Sequence, residues 1–151
     1  MIRTLITSIC LLILCGCTDR LDMREPEIAP AIQILTSRLW VETEESTGSD
    51  GTPVAIWRVW SFDDTGNGFH AVTTRNADND PVEQERTPFQ WAFTNQSHAV
   101  FSINGEAFAH MRYWLIESLT ETGLSVRTAM TDPVINPGTD QTPHHFMAVN
   151  K

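Results

Sequence analysis

Lysine is almost missing from this chain. Lys151 is the only one, and ten basic residues stand against 19 acidic ones, for a formal charge of −9. Such a surface repels phosphate backbones, which argues against nucleic acid as a partner. Cysteine is also scarce: Cys10, Cys15 and Cys17 are the three present. No disulfide or thiol site can therefore be built beyond residue 17, and ordinary packing must hold whatever folds there. Long apolar runs are absent as well. Leu5–Leu14 is about half of what a membrane-spanning helix needs. Gly-x-Ser-x-Gly, His-Glu-x-x-His and Cys–His arrangements do not occur, so no nucleophile or zinc motif is in evidence. The expectation is a non-enzymatic protein without cofactor. With 151 residues and 41% hydrophobic content, the chain suits one modest core.

What is present begins with Met1-Ile2-Arg3, a short basic start, followed by the Leu5–Leu14 apolar run. This reads as a secretory signal. It ends in Leu14-Cys15-Gly16-Cys17, which resembles the bacterial lipobox, with Leu three residues before the modified cysteine and a small residue just before it. The resemblance implies a lipoprotein signal peptide over 1–16, cleavage before Cys17, and acylation (palmitate among the chains) at Cys17. The alternative is a plain secretory signal that leaves Cys17 a free thiol. Loss of 1–16 removes Arg3 and leaves nine basic against 19 acidic residues. Thr18, where an inner-membrane lipoprotein of enteric bacteria would carry Asp, points to the outer membrane. Asp19, Asp22, Glu25 and Glu27 make residues 17–34 an acidic tether, either a solvated linker or a surface-export signal. Within it, Ile28, Ala31, Ile32 and Leu35 recur at helical spacing and predict one or two turns after Pro26 or Pro30, placed to plug one end of a barrel.

From Arg38 the periodicity changes to two. The clearest stretch is Ile56–Val72, where two aromatic and β-branched segments flank Asp63-Asp-Thr-Gly-Asn-Gly68. This predicts a hairpin, which is marginal unless more sheet closes onto it. Strands are expected at 38–44, 55–62, 69–75, 87–93, 98–103, 106–119, 124–130 and 145–149. Asn104-Gly105 is expected to be a two-residue type I′ turn. Thr131–Pro143 is the longest loop. Eight short strands with tight turns and no crossover helices predict an all-β, eight-stranded antiparallel up-and-down barrel over 35–151, which removes both sheet edges. A barrel lying in the membrane would need an apolar belt on every strand, which Arg38–Glu44 lacks.

Several stretches carry a resemblance: Leu35-Thr-Ser-Arg-Leu-Trp40, Trp60-Ser-Phe62-Asp-Asp-Thr-Gly66-Asn-Gly68, Phe89-Gln-Trp91, and Trp114-Leu-Ile116-Glu-Ser-Leu119-Thr-Glu-Thr-Gly-Leu124. Together they resemble the lipocalin-like lipoproteins, small secreted barrels common in Bacteroidetes. Ser37 and Leu39 depart from the pattern, in which glycine often precedes the first Trp. The family implies the up-and-down barrel; it implies neither an agreed ligand nor catalytic residues.

Trp40, Trp60, Phe62, Phe89, Trp91, Trp114 and Ile116 are expected to face inward, as core or as the wall of an apolar pocket. Buried indoles need polar neighbours. Arg58 shares a face with Trp60, and Arg112 with Trp114, His110 and Phe108. Such arginines either bind a ligand carboxylate at the rim or pair with Glu and Asp. His70, His98, His110, His144 and His145 offer no chelating pair, because neighbours on a strand point to opposite faces; no metal is expected. Met111, Tyr113 and Leu115 give the sixth strand a second apolar face, either a contact surface for a partner or second copy, or one buried under the 131–143 loop. Two functions stand as expectations. One is a lipid-anchored cell-envelope barrel holding a small, partly apolar ligand. The other is a protein-binding envelope module or hydrolase inhibitor with a filled interior. A cavity volume separates them.

Overall fold

A computed structural model describes residues 25–94, 97–106 and 108–151, with side chains from Pro30 onward. The expected signal 1–16, Cys17 and the tether up to residue 24 lie outside the described residues. The compact unit that carries the barrel is Ala31–Lys151.

Helix α1 spans Glu25–Ser37, longer than the one or two turns expected. Pro30 sits inside it and cannot give the bond its N–H would make to the carbonyl four residues back. The carbonyls at the end of α1 lack helical partners, and side chains supply them. Ser37 Oγ donates to the Ile34 carbonyl at 3.2 Å and Trp40 Nε1 to the Leu35 carbonyl at 2.9 Å. Lys151 Nζ donates to the Thr36 carbonyl and, at 2.6 Å, to that of Phe62. A cation at a helix C-terminus also meets the negative end of its dipole.

The chain passes from α1 directly into β1 (Arg38–Thr47), followed by β2 (Pro53–Phe62), β3 (Asn67–Arg75), β4 (Pro81–Phe93), β5 (Val100–Asn104), β6 (Arg112–Leu119), β7 (Gly123–Ala129) and β8 (Thr142–Asn150). Each strand pairs antiparallel with the next, and β8 returns to β1, closing an eight-stranded barrel. The closing register sets Trp40 against Ala148 and Val41 against Met147. With period two, fixing Trp40 inward fixes every other strand's inward set through the pairing. One row reads Trp40–Trp60–His70–Thr87 and the next Glu42–Arg58–Val72–Glu85.

The central hairpin forms as its sequence predicts. Asp63 Oδ1 accepts from the Thr65 and Asn67 backbone N–H groups at 2.9 Å each, and Gly66 takes the left-handed conformation at φ 83°. Two expectations need correction. β4 starts at Pro81, not Thr87, because Arg75 and the residues before it hold partners as far back as Pro81. The expected Asn104-Gly105 turn and a sixth strand starting at Glu106 do not occur. β6 starts at Arg112, paired with Ile103, well after β5 ends at Asn104. Gly105 lies against β4, where a Cβ would come within 2.8 Å of the Pro88 carbonyl oxygen. Phe108 folds back over the barrel interior and stacks on Trp60 at 5.9 Å. Burial of that ring outweighs the preference of an Asn-Gly pair for a tight turn.

Candidate functional site

The inward residues divide the barrel into a filled half and an open half. In the filled half, at the α1 end, Phe62 is fully buried and meets Phe89, Trp91 and Phe101 edge to face, with centroids 5.4–5.5 Å apart. Leu35, Trp40, Ile103, Leu124 and Val126 complete this cluster. Gly68 makes room for it. A Cβ there would lie 2.5 Å from the Phe89 ring and 2.3 Å from the Ser61 carbonyl oxygen, so only glycine lets the ring reach the core opposite Phe62. The indoles of this half are satisfied: Trp40 bonds the Leu35 carbonyl, and Trp91 Nε1 is shared between the Asp63 and Asn67 carbonyls at 3.1 Å.

Towards the other end the inward side chains become polar and stop filling the interior. A cavity of about 700 Å³ remains, within the range of small-molecule sites. Trp60, Trp114 and Phe146 form its floor. Trp114 stacks on Phe146 at 5.2 Å and meets Trp60 edge-on at 4.8 Å. The polar wall comes from alternate residues of the same strands: Glu42 and Glu44 from β1, Arg58 from β2, His70 from β3, Glu85 and Thr87 from β4, Arg112 from β6, Thr128 from β7 and His144 from β8. Phe108 covers part of the mouth, with Arg112 over its ring at 5.3 Å.

The charges on this wall are partly spent on one another. Arg58 pairs with Glu44 at 2.7 Å, and His144 Nδ1 lies 3.0 Å from Glu42. Among the described residues Arg112 has no carboxylate partner, and the indole N–H groups of Trp60 and Trp114 make no hydrogen bond. His70 lies flat on Trp60 at 4.0 Å, and its Nε2 is buried without a partner. Burial, then the Arg58 and Arg112 guanidinium charges, push its pKa down from 6.5 to about 4. The imidazole is therefore neutral near pH 7.

The expected residues fall into these two halves. Trp40, Phe62, Phe89 and Trp91 are core; Arg58, Trp60, Arg112 and Trp114 border the cavity; Ile116 packs half-buried against the core. Arg58 pairs with Glu44, whereas Arg112 has no carboxylate partner among the described residues. His110 is exposed and precedes β6, so it does not share a strand face with Arg112. His144 points inward to Glu42 and His145 outward to Ser125 Oγ at 3.0 Å, on opposite faces as period two requires. Met111 lies outside β6 and is exposed, while Tyr113 and Leu115 are half-buried. The three therefore do not present one exposed stripe. Sequence reasoning misses Glu42, Glu44, His70, Glu85, Thr87 and His144 as lining residues. The signal that could find most of them is the same alternation: stepping by two from Trp40, Phe89 or Phe146 reaches all but His70, which is found only through its pairing with Trp60.

A closed, antiparallel, eight-stranded barrel with one half packed and one half open is the class that fold and site define. No protein-family model matches the chain, and no curated protein matches it.

Proposed function

We propose that this protein is a lipid-anchored, non-enzymatic barrel of the bacterial cell envelope, of the lipocalin-like kind, that binds a small, partly apolar ligand in its open half. The observation that carries this reading is the cavity of about 700 Å³ with an aromatic floor and a polar wall. A barrel serving only as a protein-binding scaffold gains stability by filling its interior, as the other half of this one does. Leaving about 700 Å³ open forgoes that packing. The floor is apolar and the polar groups sit on the wall, an arrangement suited to holding and orienting a molecule. Anchoring at Cys17 in the outer membrane rests on the Leu14-Cys15-Gly16-Cys17 pattern and on Thr18.

Native mass spectrometry of protein purified from its own host tests the ligand, with a copurifying small molecule as the expected result. A bare protein that also takes up no apolar probe refutes the reading. Metabolic labelling with an alkyne fatty acid tests the anchor. The wild type is expected to label and Cys17→Ser not to label; equal labelling of both defeats it.

A further inference from the structure

Resting on that reading, the structure also bears on the chemistry of the ligand. Polar groups that a wall leaves unpaired are the ones a ligand can engage, and a ligand that strips water from them must match them. On this wall the acidic side is largely engaged: Glu44 holds Arg58, and Glu42 faces His144. The unengaged groups are mostly donors. Arg112 lacks a carboxylate, and the Trp60 and Trp114 indoles have N–H groups without acceptors among the described residues. The neutral His70 ring carries one N–H, and its buried Nε2 is unmatched.

Three of these groups gather around the Phe108 ring, Arg112 at 5.3 Å, Trp60 at 5.9 Å and His70 at 6.4 Å. Below them the rings of Trp60, Trp114 and Phe146, each less than a tenth exposed, edge the cavity as its apolar floor. Glu85 is the one lining carboxylate without a partner among the described residues, and it is solvent-exposed on the β4 wall. We infer that the cavity takes an organic acid with a flat, apolar body, whose carboxylate is received by Arg112 and whose body lies on the Trp60 and Trp114 rings. The guanidinium fork suits a carboxylate geometrically, and the stacked rings suit a planar body.

The test uses three fluorescent probes of one shape: pyrene-1-carboxylate, pyrene-1-carboxamide and 1-pyrenemethylammonium. Each is titrated at neutral pH with the full barrel and followed by fluorescence anisotropy. The carboxylate is expected to bind about 10- to 100-fold tighter than the amide, the scale of a charge-assisted hydrogen bond. In Arg112→Gln the acid-to-amide ratio is expected to fall to near one, with folding checked by circular dichroism; Arg112 is exposed, so the fold is expected to survive. Equal binding of acid and amide by the wild type overturns the acid while leaving a cavity for apolar ligands. Tightest binding of the ammonium overturns it in favour of the carboxylates of the wall. An acid preference undiminished in Arg112→Gln overturns the role of Arg112. Failure of all three probes to bind overturns the flat-bodied acid, and the proposed function then stands or falls on the native mass spectrometry.

Discussion

Replacing Phe62 by alanine is expected to destabilise the protein more than replacing Trp60, although tryptophan is the larger side chain. Both are buried, at 0% and 6% exposure, and they lie two residues apart on β2. What differs is what lies beyond them. Phe62 is surrounded by the rings of Phe89, Trp91, Phe101 and Trp114. Truncation there loses about 2–3 kcal/mol of transfer free energy and leaves a closed void. A void of about 80 Å³ at about 24 cal/mol per Å³ adds about 2 kcal/mol, for a total of about 4–5 kcal/mol. Trp60 already borders the cavity, so its removal enlarges an existing opening that water can enter. The void cost then largely disappears, and the expected loss is about 3 kcal/mol. Urea denaturation of wild type, Phe62→Ala and Trp60→Ala, followed by far-ultraviolet circular dichroism, gives both values. If Trp60→Ala costs as much as Phe62→Ala or more, the division into a packed and an open half is wrong.

Two further perturbations address other parts of the same architecture. Gly68→Ala places a Cβ about 2.5 Å from the Phe89 ring, and overpacking of this kind is expected to cost about 1–3 kcal/mol; an unchanged denaturation midpoint would show that Phe89 does not need that space. Because the folded-state pKa of His70 is depressed to about 4 from 6.5, the unfolded chain takes up a proton below pH 6.5 that the folded protein refuses. Stability is thus full above pH 6.5 and falls as pH is lowered towards 4, and His70→Phe is expected to show a shallower fall than wild type between those values. Parallel profiles would mean that His70 is not held neutral by its surroundings.

The legibility of this chain depends on what period-two alternation can and cannot encode. Within a strand the signal is complete. Once Trp40 faces inward, Glu42 and Glu44 must do so too, and pairing carries the assignment around the barrel to His144 and back. Aromatic spacing therefore locates the core, and the same spacing continued beyond the aromatics locates the cavity wall. Those wall positions escape a reading by residue type because acidic and imidazole side chains ordinarily mark the solvent face of a half-buried strand. Residue type alone cannot tell an outward carboxylate from one facing a cavity open to water. That distinction depends on register.

Connections obey a different logic. The Asp63–Gly68 turn is local: an aspartate accepting from the backbone and a glycine at positive φ suffice, and the turn forms as its residues predict. The Asn104-Gly105 pair has equally strong local chemistry, yet the chain runs on to Arg112 before pairing again. What overrides it is contact with elements distant in sequence. Gly105 is pressed against Pro88 and Phe89, and Phe108 is drawn onto Trp60. Neither contact can be read from residues 104–112 alone. This connection carries Phe108 and leads into Arg112, the two groups that close the mouth of the cavity. The part of the chain least predictable from local sequence is thus the part that gives the open half its shape and its unpaired positive charge.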